Sequence, residues 1–139
     1  MTGHLADVSD RAAVSVPAWV QSYYADVDAG NVPGVLQRLA PDVELQFGAR
    51  EVATGRDAAA RTLAEVHERF LTVSHEFRNV WEAGNTSICE FIATYRLHDE
   101  SLLPMPTLAV LQRSGNQIAS MRVYLDEGPL RARSEGGRP

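Results

Sequence analysis

The run Ile118 to Asp126, IASMRVYLD, constrains this chain more than any other stretch. β-forming residues fill it, and turn signals bound it at Ser114-Gly115-Asn116 and at Gly128-Pro129. Side chains alternate across a strand, so the spacing puts Ala119, Met121, Val123 and Leu125 on one face. Ser120, Arg122, Tyr124 and Asp126 take the other. A strand with an apolar face of this length belongs at the heart of a sheet. That face becomes the floor of any cavity the sheet encloses.

The upstream chain can be ordered around this strand. Val16, Trp19, Val20, Tyr23, Tyr24 and Val27 recur at helical steps, with Pro17 tolerated in a first turn and Gly30 as the closing cap. Asn31 can cap a second, antiparallel helix whose stripe is Val35, Leu36 and Leu39, stopped by Pro41. Residues 43–47 alternate as a first strand. A third helix follows, with Asp57 as its N-cap and Ala59, Leu63, Val66 and Phe70 on one face. Three β segments come next, at 73–83, 86–97 and 105–113, and the last forms a hairpin with the opening strand. Helices first and strands after predict an α+β fold: three N-terminal helices on one side of a curved, mainly antiparallel sheet. Residues 1–15 read as a flexible arm, 16–130 as the domain and 131–139 as a polar, disordered tail.

Composition narrows the function classes. With 139 residues the chain can build one core without staples. A net charge of -5 and no basic patch in the folded part argue against a nucleic-acid surface. One cysteine excludes an internal disulfide and suits a reducing compartment. No apolar run approaches the ~20 residues of a membrane span, and the first residues lack a signal-peptide pattern. The expectation is a cytoplasmic protein with no membrane or nucleic-acid partner.

Several short motifs then resemble one family. They are Val20-Gln21-Ser22-Tyr23-Tyr24 with Asp28-Ala29-Gly30-Asn31, Leu39-Ala40-Pro41-Asp42-Val43, Gly55-Arg56-Asp57, and Glu82-Ala83-Gly84-Asn85. The ending Gly115, Ile118, Tyr124-Leu125-Asp126 and Pro129-Leu130 completes the set. In this order they resemble the SnoaL-like members of the NTF2-like, ketosteroid-isomerase-like superfamily, over most of the chain. The resemblance implies a cone, with helices closing a curled sheet over an apolar pocket. It also implies a homodimer through the sheet's outer face, where Ile88 and Ile92 would point. The superfamily holds isomerases, cyclases, epoxide hydrolases and non-catalytic binders, so the fold leaves function open.

The positions that work in those relatives can be checked singly. Tyr23 falls where the isomerases place an oxyanion-hole tyrosine, and a phenol in a dry pocket can hydrogen-bond a developing enolate. Their general-base aspartate falls on Phe47, and their second oxyanion donor on Thr107. The floor aspartate of the cyclases falls on Val123, and the arginine and aspartate of the epoxide hydrolases on Phe91 and Ala93. The carboxylates of the known chemistries are therefore missing. Asp126 alternates away from the floor and suits a local turn.

His67, at helical spacing with Leu63 and Phe70, is a candidate base near neutral pH. His75 shares inward parity with Val73, Phe77 and Trp81, while His98 and the acids Asp26 and Asp28 read as solvated. Cys89 reads as a small buried hydrophobe. The histidines show no metal-ligand spacing, so neither metal nor cofactor is expected. Two classes remain. One is a binder of a small, largely apolar, cyclic or polyketide-like molecule, with cofactor-free isomerase or cyclase chemistry on Tyr23 and His67. Its pocket would be lined by Trp19, Phe47, Val66, Phe70, Phe91, Tyr95, Thr107, Met121, Val123 and Leu125. The other is a non-catalytic dimeric module whose pocket its own side chains fill. An open cavity of several hundred Å³ would favour the first.

Overall fold

The computed structural model describes residues 14–136; positions 1–13 of the expected arm and 137–139 of the tail lie outside them. Pro17 stands just ahead of α1 (Ala18–Asp28), whose buried face is Val20, Tyr23 and Tyr24. Gly30, at φ 69°, turns the chain in the left-handed region that favours glycine. Asn31 then caps α2 (Val32–Gln37), its side chain accepting from the Gly34 amide at 3.2 Å. This helix is shorter than its apolar spacing predicts. Leu39 is not helical but opens β1 (Leu39–Phe47). Pairing decides this: the Arg38 carbonyl accepts from the Ile118 amide at 2.7 Å, and Leu39 lies beside Ile118 in a parallel ladder. Pro41, lacking an N–H, falls in the irregular stretch of that ladder between Leu39 and Glu44.

A two-residue strand, β2 (Ala53–Thr54), edges β1 and leads into α3 (Arg56–His67). Gly55 rather than Asp57 holds the N-cap position of α3. Asp57 lies within its first turn, where a negative charge meets the positive end of the helix. The remaining elements are β3 (Thr72–Ala83), β4 (Thr86–Arg96), β5 (Leu102–Ser114), β6 (Gln117–Tyr124) and α4 (Gly128–Gly136). The six strands form one sheet in the order β2-β1-β6-β5-β4-β3, antiparallel throughout except for β1 beside β6. The class is α+β, with helices against a curved sheet. β5 starts earlier than the pattern predicts. Its Pro104 and Pro106 pair only with β4, since β6 joins from Leu108 onward, so no second neighbour asks them for an N–H.

Two bulges break the simple alternation. In β6, Ile118 pairs with Arg113 and Ser120 with Gln112, which leaves Ala119 as the extra residue. Ile118 therefore joins Met121 and Val123 in the core. In β3 the register shifts between Phe77 and Asn79, so Val80 opposes the inward Cys89 and Trp81 opposes Ile88. Trp81 is on the outer face, half exposed, and not inward with His75 as its parity predicts.

The segment from residue 131, expected to be a disordered tail, continues α4 to Gly136. Asp126 starts that helix by accepting from the Gly128 amide at 2.9 Å, and Leu130, fully buried, anchors it. Burying one such leucine contributes about 1.5–3 kcal/mol. Hydrogen bonds from Arg69 to Ser134 at 3.3 Å and from Arg133 to Ser101 at 2.6 Å tie the helix to the domain as well. Among the described residues no helix is long and apolar enough to cross a membrane.

Candidate functional site

Between the concave face of the sheet and the helices lies a cavity of about 390 Å³. Its floor is Met121 and Val123 from β6, with Phe47 from β1 and Thr107 from β5 beside them. Phe91 and Tyr95 of β4 continue the wall. Tyr23 and Tyr24 of α1, Val66 and His67 of α3, and Phe70 just beyond close it from the helix side. Trp19 and Leu125, expected in the lining, do not border it. Trp19 lies one helical turn, about 6 Å, before Tyr23. There its ring carries the Arg113 guanidinium 5.1 Å from its centroid. Leu125 lies past the last residue of β6, packed on the core but away from the cavity.

The walls are stiff because the rings brace one another. Tyr23 and Tyr24 meet edge to face with centroids 4.9 Å apart, Tyr24 meets Phe91 at 5.3 Å, and Phe70 meets Tyr95 at 4.8 Å. Burial drives the phenols of Tyr23, Tyr24 and Tyr95 well above the ordinary tyrosine value. They stay protonated at neutral pH and act as donors. The Tyr23 hydroxyl donates only to Met121 Sδ, at 3.6 Å, a weak acceptor from which it is readily redirected. Thr107 already donates to the Met105 carbonyl at 3.1 Å. Arginine is absent from this lining, and the chain contains no lysine.

Two imidazoles border the cavity. His67 Nδ1 lies 2.7 Å from the Leu63 carbonyl, which can only accept. Nδ1 therefore carries a proton, and in the neutral ring Nε2 is the atom with the lone pair. His75 Nδ1 lies 2.5 Å from Asp28 Oδ1, and the His75 backbone amide donates to Asp28 Oδ2 at 3.2 Å. Asp28 stays solvent-exposed, as its place near a helix end suggests, but its carboxylate is also held by His75. Asp26, part-exposed, pairs with Arg38 at 2.7 Å; that hydrogen bond holds its carboxyl below the usual range. A partial signal for the Asp28–His75 pair exists in the sequence. Tyr24 and Asp28 are four residues apart on one helix face, and His75 has inward parity. What periodicity cannot supply is that the end of α1 meets edge strand β3.

Cys89 is fully buried, and burial, with Glu82 adding, pushes its thiol up to about 12. It is no nucleophile at neutral pH. Among the described residues no three His, Cys, Asp or Glu side chains gather as metal ligands would.

Solved structures share this architecture. A hypothetical protein of ketosteroid isomerase-like fold from Catenulispora acidiphila, crystallised with trimethylamine, superposes with a TM-score of 0.76 at 18% identity, over 90% of this chain and 100% of that one. TerC co-crystallised with polyporic acid gives 0.72 at 15%, over 84% and 95%. A candidate polyketide cyclase from Xanthomonas campestris gives 0.69 at 20%, over 90% and 97%. At these identities the likeness is one of fold. Among curated proteins no significant sequence relative is found. The sequence model of the SnoaL-like domain matches residues 20–121, from the first buried residue of α1 to the cavity floor, and the chain belongs to that family.

Proposed function

We propose that the protein binds a small, largely apolar, cyclic or polyketide-like molecule in this cavity, and acts on it without a cofactor by proton transfer. The observation that carries the reading is the open volume of about 390 Å³ behind braced aromatic walls, which a self-filled module would lack. The missing cations disfavour an anionic ligand, because a desolvated carboxylate would meet no partner. Tyr23 is the donor for a ligand oxygen and His67 Nε2 an acceptor. The trimethylamine and polyporic acid complexes of the similar folds agree with a small-molecule role. The test is a calorimetric and thermal-shift screen of steroids, terpenes and aromatic polyketides. Saturable binding is the expected result, and silence across all three classes would favour the non-catalytic module.

The outer face supports a second reading, a homodimer. Trp81, Ile88, Val110 and Arg122 form one row across four strands, and Leu108 with Tyr124 lies in the next. Trp81 and Tyr124 are each 50% exposed. Apolar side chains of this density on a sheet face fit a self-complementary contact. Sedimentation of the unmutated protein at tens of micromolar tests it, and a monomer there would end the idea.

A further inference from the structure

The Asp28 carboxylate makes two contacts with one residue. Through Oδ2 it takes the His75 backbone amide, an open position on β3, which is an edge of the sheet. Through Oδ1 it accepts a hydrogen bond from Nδ1–H, and so fixes the imidazole's tautomer and orientation. The His75 ring, its side chain 8% exposed, is wedged between Tyr24 at 4.6 Å and Phe91 at 4.8 Å, both cavity residues. Nε2 has no protein partner. Among the described residues only Arg50 Nε is both sealed and unpartnered, so His75 Nε2 keeps accessible surface, and the residue borders the cavity.

We propose that His75 is the catalytic base of this cavity and Asp28 its positioning residue. The inference rests on the cavity being a ligand site. In the step, the Nε2 lone pair takes a proton from a carbon next to a ligand carbonyl. The C–H electron pair becomes a C=C bond, the carbonyl π pair moves to oxygen, and an enolate forms. Tyr23, one ring away across Tyr24, donates its hydrogen bond to that oxygen. The imidazolium, its charge beside Asp28, returns the proton to the same or a conjugated carbon. The net change is a proton shift, so no oxidant or reductant is needed. His67 is less suited as the base, since the neutral Leu63 carbonyl behind it sets no charge against an imidazolium. The reading also accounts for Phe47 and Val123: the base enters from β3 and helix α1, not from the floor.

The test uses the whole chain and 2-tetralone, a small cyclic ketone with acidic C–H bonds, as probe. Proton-for-deuteron exchange next to its carbonyl is followed by NMR in D₂O, with affinity measured by calorimetry. The wild type is expected to bind the probe and to accelerate exchange over buffer. His75→Gln should lower the exchange rate by about 10²–10⁴-fold, the usual worth of a general base. Asp28→Asn should lower the exchange rate while leaving affinity within about threefold, a split that a merely structural strap would not give. Binding with exchange that His75→Gln leaves unchanged would overturn the base assignment and leave the ligand site standing. No binding by the wild type would remove the ligand reading itself, and this inference with it.

Discussion

Strand β4 presents two faces one residue apart, and they solve different problems. Inward, Cys89, Phe91, Ala93 and Tyr95 are buried and alternate small with large. Outward, Ile88, Glu90, Ile92 and Thr94 are half-buried and similar in reach. The outward set mixes its two isoleucines with Glu90 and Thr94 and is less apolar than the inward one. Shape separates them further. The bulges in β3 and β6 curl the sheet, and small residues between aromatic ones leave a hollow on the concave side. The convex side offers a row of tips to a flat neighbour. Depth for a ligand thus comes from size alternation plus curvature, while the same strand's other parity suits an assembly surface.

The comparison breaks most visibly at high pH. Tyr23, Tyr24 and Tyr95 are inner-face phenols held above the ordinary value of 10.0, chiefly by burial. The unfolded chain releases these protons near pH 10 and the folded chain does not. Stability is therefore intact below pH 10 and falls as pH rises past it, by up to about 1.4 kcal/mol per pH unit for each phenol. Urea unfolding at stepped pH should show the loss beginning near pH 10. A flat profile to pH 11.5 would mean that the phenols are not sealed in the inner face.

Next in size is a pair of truncations. Phe91→Ala, at the contact of Tyr24, Phe77 and His75, should cost about 3–5 kcal/mol in urea unfolding. Ile92→Ala, its outward neighbour, should cost the isolated subunit under about 1.5 kcal/mol, because only part of that side chain is buried. Equal costs would erase the distinction between the faces.

How much of this was legible in the sequence follows from the same contrast. Strands and helices announce themselves by period, and Met121 and Val123 on the floor could be read from IASMRVYLD alone. Parity beyond a bulge could not: Ile118 and Trp81 exchange faces because one extra residue in a strand leaves no trace in hydrophobic pattern. Helix α4 hid because its content is polar and its apolar anchor is one leucine, Leu130, supported by hydrogen bonds at Ser134 and Arg133 that no period announces. Trp19 shares a stripe with Tyr23, yet a stripe outruns a cavity shorter than the helix. The Asp28–His75 pair joins residues 47 positions apart, and only the fold brings them together.

The outer face is sharpened by Ile92→Lys. Ile92 lies two rows from Trp81 and Ile88 and opposite Glu76. A lysine there, at the margin of the sheet-on-sheet contact, should weaken self-association by about tenfold, some 1.4 kcal/mol. Light scattering across a concentration series reads this directly. Catalytic exchange and ligand affinity should stay unchanged, since Ile92 points away from the cavity. An unaltered dimer would move the assembly surface elsewhere.

The smallest effect probes the inner face without disturbing it. The Tyr23 hydroxyl spends its proton on Met121 Sδ at 3.6 Å, a poor acceptor, so the fold gains little from that contact. Tyr23→Phe should thus leave urea stability nearly unchanged. If Tyr23 is the donor to a ligand carbonyl, the same change removes one neutral hydrogen bond, worth about 1 kcal/mol, or roughly fivefold in affinity. The control is a hydrocarbon of the same shape, such as tetralin beside 2-tetralone. Calorimetry should show the ketone weakened and the hydrocarbon unaffected by Tyr23→Phe. Equal losses for both would make Tyr23 a packing residue only, and the oxygen of the ligand would then have to find its donor in Tyr24 or Tyr95.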